Sequence, residues 1–292
     1  MSRNWTWYRP TTLDEVVGLL LAHGDDAIIV AGGTAVAHTP PRRDGLAMID
    51  LQDLDLRRIG VGEGAVLIDA LVTAQDLVHS SALDEVGAGM LRTVGAGMGP
   101  RPVRNRITVG GNVMQPFRWC DLPVAMLALD ADLEVFGPKG FRQIPSDEAF
   151  TAQPRRQLAP GELLVRVVIP LDSPGDGACF MKLGWTEVDH AVASTAVSLW
   201  FDGDRCSGAR VAVGAIGPMP QRLRGVEEAL VGQRLDDAVI AAAVSKADPE
   251  KVIGGLKADE EYRREVTRVL VRRAITSAAD RASSGLDGGR TW

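Results

Sequence analysis

The chain has 292 residues, 46% of them hydrophobic and 24% charged, with 32 Lys+Arg against 38 Asp+Glu for a formal net charge of −6. Single cores stop growing at roughly 250 residues, so two or three subdomains are expected, and the acidic balance lacks the basic face a general nucleic-acid binder needs. The opening MSRNWTWYRP has neither the basic start nor the apolar core of a signal peptide, and the longest apolar run near it, VVGLLLA, is far too short for a bilayer span; a cytoplasmic chain with no membrane or nucleic-acid partner is expected. Three widely spaced cysteines, Cys120, Cys179 and Cys206, and four scattered histidines complete no disulfide, zinc or iron–sulfur pattern, so no metal site is expected.

In chain order, TTLDEVVGLLLAHG offers a threonine N-cap, Val16, Leu19 and Leu20 at helical spacing, and Gly24 as a stop. AIIVAGG reads as a buried strand running into a glycine turn, and LAMIDLQ as another strand, giving a βαβ-like unit with a ligand-binding corner at the strand exit. AVLIDALVTAQDLVHS reads as a strand entering a helix capped near Thr73. The stretch from Met90 to Val113 is glycine-rich and broken by Pro100 and Pro102, and LPVAMLALDADLEVFGPKGFRQIP reads as a short helix and a hairpin. The Pro/Gly/Asp stretch from Pro170 to Gly177 marks a domain boundary. Beyond it come the strands VASTAVSLWF and ARVAVGAI, helical stretches around 225–246 and 259–283, and a fraying tail.

Glycine admits positive φ and removes Cβ, so successive backbone NH groups at Ala31-Gly32-Gly33-Thr34 can converge on an anion such as a phosphate; the other reading is a plain tight turn. A second stretch, ITVGGNV from Ile107 to Val113, repeats the pattern of β-branched residues, Gly-Gly and a small polar side chain, and the two together suit opposite sides of one pyrophosphate. GVGEGA, from Gly60 to Ala65, fits G-x-G-x-x-A but runs into a strand-like segment instead of a helix, which excludes it as a dinucleotide site.

The ordered set YRPTTLDEVVGLL, VAGGTAV, IDLQDLDLRRI, VRNRITVGGNV, CDLPVAMLALDADLEV, GELLVRVVIP, MKLGWTEVDHAVASTAVSL and EEYRREVTRVLVRRAI resembles the FAD-binding (medium) subunit of molybdenum hydroxylases. This is the flavoprotein family of carbon monoxide dehydrogenase-like enzymes and xanthine dehydrogenase, and the resemblance runs from about Trp7 to Ala279. It implies an α+β fold: a two-lobed FAD-binding domain of vanillyl-alcohol-oxidase (PCMH-like) type over 1–172, with lobes of about 1–55 and 56–172. A C-terminal domain over 173–285, with a small antiparallel sheet and helices, and a tail over 286–292 would follow.

The resemblance also implies site residues. Val30, Ala31, Gly32, Gly33, Thr34, Ala35 and Val36 match the loop that wraps the FAD pyrophosphate with backbone NH groups. Thr108, Gly110, Gly111 and Asn112 match its partner, with the Thr hydroxyl and Asn amide supplying directed hydrogen bonds. Asp121 stands at the family's spacing for an acid on the ribityl or ribose part; a helix N-cap is its alternative role. Leu164 matches an apolar residue against flavin or adenine, or is plain core, and Lys182 matches a lysine near the isoalloxazine ring, or is a surface lysine. Many relatives follow that lysine with consecutive arginines where this chain has Trp185, Thr186 and Glu187, and Phe117, Arg118 and Trp119 replace mostly small residues. They read as an altered flavin environment, a partner contact or repacked surface. His38 invites covalent flavin attachment, yet the family binds FAD noncovalently.

No nucleophile–base pair or metal cluster can be assembled from the motifs, so the redox chemistry falls to the flavin. By resemblance, the chain is an electron-transfer subunit. An iron–sulfur small subunit and a molybdenum-cofactor large subunit would be its partners, and NAD, oxygen or a quinone its acceptor. The alternatives are a free-standing FAD-dependent oxidoreductase acting on a small substrate, and a degenerate scaffold that only holds partners.

Overall fold

The computed structural model describes residues 4–62, 64–84, 87–114, 117–150, 152–171 and 175–285. Glu63 of the GVGEGA stretch, Gln115 and Pro116, part of the Pro170–Gly177 boundary and the expected 286–292 tail lie outside them.

The chain opens with β1 (Thr6–Tyr8), α1 (Leu13–His23), β2 (Ala27–Val30), α2 (Thr34–His38) and β3 (Ala47–Asp50). Thr12 caps α1 as expected: its hydroxyl accepts from Glu15 N at 3.2 Å, and the Glu15 carboxylate accepts in return from Thr12 N at 3.4 Å. Val16 and Val17 bury the helix against Ile49, Leu51 and Leu163. The three strands form a parallel sheet in the order β1-β3-β2. β1, which no periodicity announces in three residues, completes one edge.

Next come β4 (Ile59–Gly62), β5 (Ala65–Asp69), α3 (Ala74–His79), α4 (Met90–Ala96), α5 (Arg101–Arg104), α6 (Val109–Met114), α7 (Leu122–Ala128), β6 (Asp132–Gly137), β7 (Gly140–Ile144), α8 (Ser146–Ala149) and β8 (Leu163–Pro170). The strands form an antiparallel sheet in the order β4-β5-β8-β6-β7. Of the GVGEGA stretch, Gly60 to Gly62 lie on β4 and Ala65 starts β5, which pairs with it antiparallel. Thr73 and Asp76 close a second capping box at α3. The expected short helix and hairpin are α7 and the β6–β7 pair. The second glycine stretch departs from its strand-like look: Val109 to Met114 is a short helix whose Thr108 hydroxyl accepts from Gly111 N at 3.2 Å.

The last part holds β9 (Gly177–Leu183), β10 (Ala193–Asp202), β11 (Arg205–Gly214), β12 (Gln221–Arg222), α9 (Arg224–Leu230), α10 (Asp237–Val244) and α11 (Glu260–Gly285). The helical stretch expected around 225–246 breaks in two at Gly232, which has φ +79°, and Asp236 then caps α10 by accepting from Val239 N at 2.8 Å. The strands run antiparallel in the order β12-β11-β10-β9. Strand alternation sorts their two faces: Val197, Leu199, Val211 and Val213 face the α9–α11 side, whereas the small Ala196 and Ala212 join the core built on α7. A Cβ on Gly214 would stand 2.2 Å from Val124 Cγ2, so the sheet and α7 meet at a distance only small residues allow. That packing brings the start of α7 beside β9 and so assembles the site.

Candidate functional site

A cavity of about 410 Å3 is lined by the turn from Ile29 into α2, the loop from Gly97 to Pro100, part of Ile107–Asn112, the segment Phe117–Asp121, Lys182 and Val188–His190. That volume falls within the roughly 300–1,000 Å3 of small-molecule and cofactor sites. Of the residues expected from sequence, Val30, Ala31, Gly33, Thr34, Ala35, Val36, Thr108, Gly111, Asn112, Asp121 and Lys182 line it. Gly32, Gly110 and Leu164 do not.

The reasons are physical. Gly33 takes φ +77°, which turns β2 into α2, and the NH groups of Thr34, Ala35 and Val36 at the first turn face no intrahelical acceptor. Gly32 is bare for another cause: a Cβ there would stand 1.4 Å from the Arg106 carbonyl oxygen, and Arg106 Nε donates to the Gly32 carbonyl at 3.0 Å. The close approach to Gly32 is therefore made by the chain itself. Gly110 packs on Ala70, whose carbonyl accepts from Gly110 N at 2.8 Å and whose Cβ would meet an added Cβ at 2.8 Å. Leu164 is buried in the core strand β8 opposite Val135 and packs with the core cluster around α7.

The two corners also differ in what they present. At the second, Val109 N bonds the Val72 carbonyl, Gly110 N the Ala70 carbonyl, Gly111 N the Thr108 hydroxyl and Asn112 N the Thr108 carbonyl. Its backbone donors are thus satisfied internally, and side chains face the cleft instead. Asn112 Nδ2 donates to Cys120 Sγ at 3.4 Å, and Asn112 Oδ1 is buried with no partner among the described residues.

Asp121 occupies the N-cap position of α7 but makes no capping bond. Its Oδ2 instead accepts from Lys182 Nζ at 2.9 Å, and its Oδ1 is buried without a partner among the described residues. The same ammonium donates to the Gly97 carbonyl at 2.6 Å and the Asp189 carbonyl at 3.2 Å, so Lys182 is a buried tie between three walls of the cavity and not a surface lysine. Burial outweighs the pull of the lysine and raises the Asp121 carboxyl above the usual carboxylate range. Burial, with the Asp121 charge adding, pushes the Cys120 thiol up to about 12.

Aromatic rings line part of the cavity. Phe117 and Trp119 stack with ring centroids 5.0 Å apart, Trp119 and His190 stack at 4.8 Å, and His38 meets Phe117 edge-on at 5.6 Å. Trp185 is 74% exposed, with Lys257 Nζ 5.7 Å from its ring centroid. Sequence reasoning missed Cys120, His190 and the Gly97–Pro100 loop as cavity walls. The departing segments themselves were the signal for the first two, since they flank Asp121 and Asp189.

NH groups without intrahelical acceptors at a left-handed glycine turn, together with Asn and Asp oxygens along one cleft that have no partner among the described residues, suit an extended, anionic, polyhydroxylated cofactor. Residues 3–172 match the family described as the FAD binding domain in molybdopterin dehydrogenase, and residues 178–278 match the CO dehydrogenase flavoprotein C-terminal domain. The chain belongs to this family of molybdenum-hydroxylase flavoproteins, and its cofactor is FAD.

It is 29% identical over 290 residues to the carbon monoxide dehydrogenase medium chain of Afipia carboxidovorans, covering 96% of this chain and 99% of that one. It is 30% identical over 280 residues to the 6-hydroxypseudooxynicotine dehydrogenase complex subunit alpha of Paenarthrobacter nicotinovorans, covering 93% of each. A crystal structure of Cu,Mo-CO dehydrogenase in its cyanide-inactivated form matches with a TM-score of 0.89 at 27% identity, over 96% of this chain and 100% of that one. Among the described residues no helix is long and apolar enough to cross a membrane, and no group of three or more His, Cys, Asp or Glu is placed to hold a metal ion.

Proposed function

We propose that this chain is the electron-transfer subunit of a hetero-oligomeric molybdenum hydroxylase, taking electrons from iron–sulfur and molybdenum-cofactor subunits and delivering them through noncovalent FAD to an external acceptor. The observation that carries the reading is the convergence of Gly33–Val36, Asn112, Asp121 and Lys182 on one cleft, in a chain that spans nearly the full length of medium-chain relatives. Bound FAD supplies the ability to accept and release electrons one or two at a time.

The chain's own groups bind and orient it. The NH groups of Thr34, Ala35 and Val36 suit the diphosphate oxygens, and Gly33 keeps that turn open to them. Asn112 Oδ1 and Asp121 Oδ1, unpartnered among the described residues, suit hydroxyl donors of the ribose or ribityl chain. Lys182 holds Asp121 in place and ties the Gly97 loop to the Asp189 segment. The ring cluster of Phe117, Trp119, His190 and His38 supplies apolar faces to the cleft wall.

The test is to purify the chain, record its absorption spectrum, and titrate it anaerobically with organic substrates before and after adding partner subunits. A flavin spectrum that bleaches with organic substrate only when iron–sulfur and molybdenum subunits are present supports the reading. Bleaching by such a substrate with the chain alone would replace it with a free-standing oxidoreductase.

A further inference from the structure

The 252–259 segment between α10 and α11 lies far in sequence from every motif of the site, yet it reaches two of the cavity walls. Gly255 N donates to the Ala258 carbonyl at 2.9 Å and Ala258 N to the Gly255 carbonyl at 3.2 Å, so the pair closes a tight turn that presents Leu256 and Lys257. The turn is anchored from below by Arg263, a fully buried guanidinium whose Nε donates to the Ala258 carbonyl and whose Nη1 donates to the Val192 and Ala215 carbonyls. On its other side Arg118, from the segment carrying Phe117 and Trp119, donates to the Gly254 carbonyl at 3.4 Å.

Lys257 then reaches out of this turn. Its Nζ donates to Asp189 Oδ2 at 3.1 Å and to the His190 carbonyl at 3.1 Å. Asp189 Oδ1 accepts from His190 N at 2.7 Å, and the Asp189 carbonyl accepts from Lys182 on the inner side. The Asp189–His190 dipeptide is therefore gripped from both flanks, by Lys182 within the cavity and by Lys257 outside it. His190 in turn stacks its ring on Trp119.

We propose that Lys257 is a positioning residue of the cofactor site: acting through Asp189 and His190, it sets the plane of the Trp119 and His190 rings that close the aromatic end of the cleft. The inference rests on the FAD reading above. Lys257 touches none of the cavity itself, so its effect passes wholly through the wall it holds. The ion pair is about one-third exposed on both sides, so its contribution is small but directional.

The experiment compares the wild-type full chain with Lys257→Met and Lys257→Arg, using FAD as the probe. FAD affinity is read by quenching of flavin fluorescence, and the His190 imidazole titration is followed by NMR. Lys257→Met is expected to weaken FAD about three- to fivefold, as removal of a partly exposed pair should. The same change is expected to raise the pH at which His190 titrates, because the neighbouring lysine charge works against its protonation, together with burial, Lys182 and His38 and against Asp189. Lys257→Arg is expected to restore both. Wild-type FAD affinity in Lys257→Met would overturn the proposal even if His190 moved, since the wall would then be held without the lysine. A wild-type chain that takes up no FAD would overturn the cofactor reading and this inference with it, and the wild-type control separates the two failures.

Discussion

Lys182 Nζ and Asp121 Oδ2 meet at 2.9 Å across 61 positions of sequence, joining β9 to the start of α7 in the wall of the cleft. Removing one partner leaves the other buried without compensation. Lys182→Met is therefore expected to lower the free energy of unfolding by about 3–5 kcal/mol, measured by urea denaturation at neutral pH. Adding Asp121→Leu to that variant should recover a large part of the loss while leaving FAD binding impaired, because Asp121 Oδ1 goes with it. A loss below about 1 kcal/mol for Lys182→Met, the range of exposed pairs, would show that the pair is solvated and not buried.

Gly32 and Gly111 separate fold from cofactor. Gly32→Ala places a Cβ 1.4 Å from the Arg106 carbonyl oxygen, so backbone must move, and a loss of about 3 kcal/mol or more is expected in thermal or denaturant unfolding. Gly111→Ala places a Cβ 2.8 Å from Thr108 Oγ1, which only needs to rotate the hydroxyl away from Gly111 N. The fold should then survive with a loss of about 1 kcal/mol, the worth of the cap, while FAD affinity falls. Equal stability losses at Gly32 and Gly111 would contradict the different roles assigned to them.

His190 couples stability to pH. Burial first, then the Lys257 charge, lower its pKa from the usual histidine value, so the folded state binds the proton more weakly than the unfolded state does. Its contribution to stability is then complete above about pH 6.5 and declines as pH falls below that value, levelling off once the folded-state imidazole is protonated. Unfolding free energies measured from pH 5 to pH 7.5 should show this slope in wild type and a shallower one in His190→Gln. Parallel curves for the two would remove His190 as its source.

The cleft thiol should be inert. Cys120 is pushed up to about 12 by burial, and burial raises Cys179 and Cys206 as well. The native chain at pH 8 should release no colour with a disulfide thiol reagent over minutes, and all three cysteines should react after denaturation. Rapid labelling of Cys120 in the native chain would mean that the Phe117–Asp121 wall opens.

Much of the fold was legible because the signals are local. The Thr12–Glu15 and Thr73–Asp76 boxes, the Gly24 stop and the β6–β7 hairpin are each written within a few residues. What escaped the sequence depends on distant contacts. Gly32 looks like half of a ligand turn, yet its Cα is bare because Arg106 crosses it from 74 positions away. Gly110 and Gly111 follow β-branched residues and look like a strand exit; Thr108 instead caps them into a helix, and their NH groups turn inward. Leu164 sits in a continuous apolar run, where periodicity gives no direction, and its side chain turned out to pack into the core. Lys182 and Asp121 are marked by resemblance alone, and Asn112 by the repeated Gly-Gly pattern and the resemblance together. Their common cleft, and the Lys257 grip on its outer wall, exist only once α7 packs against β10 and β11.

The most direct measurement is FAD binding by the wild-type chain and by Gly33→Val, followed by flavin absorbance and fluorescence, with circular dichroism as the control for folding. Gly33 holds φ +77°, and no atom outside its immediate chain neighbours lies closer than 3.9 Å to a Cβ there, so the substitution strains the turn by about 1–3 kcal/mol without a clash in the core. The account predicts one FAD per wild-type chain, and a folded Gly33→Val chain that binds none. A folded Gly33→Val chain that retains its flavin would contradict the assignment of the Gly33–Val36 turn to the cofactor.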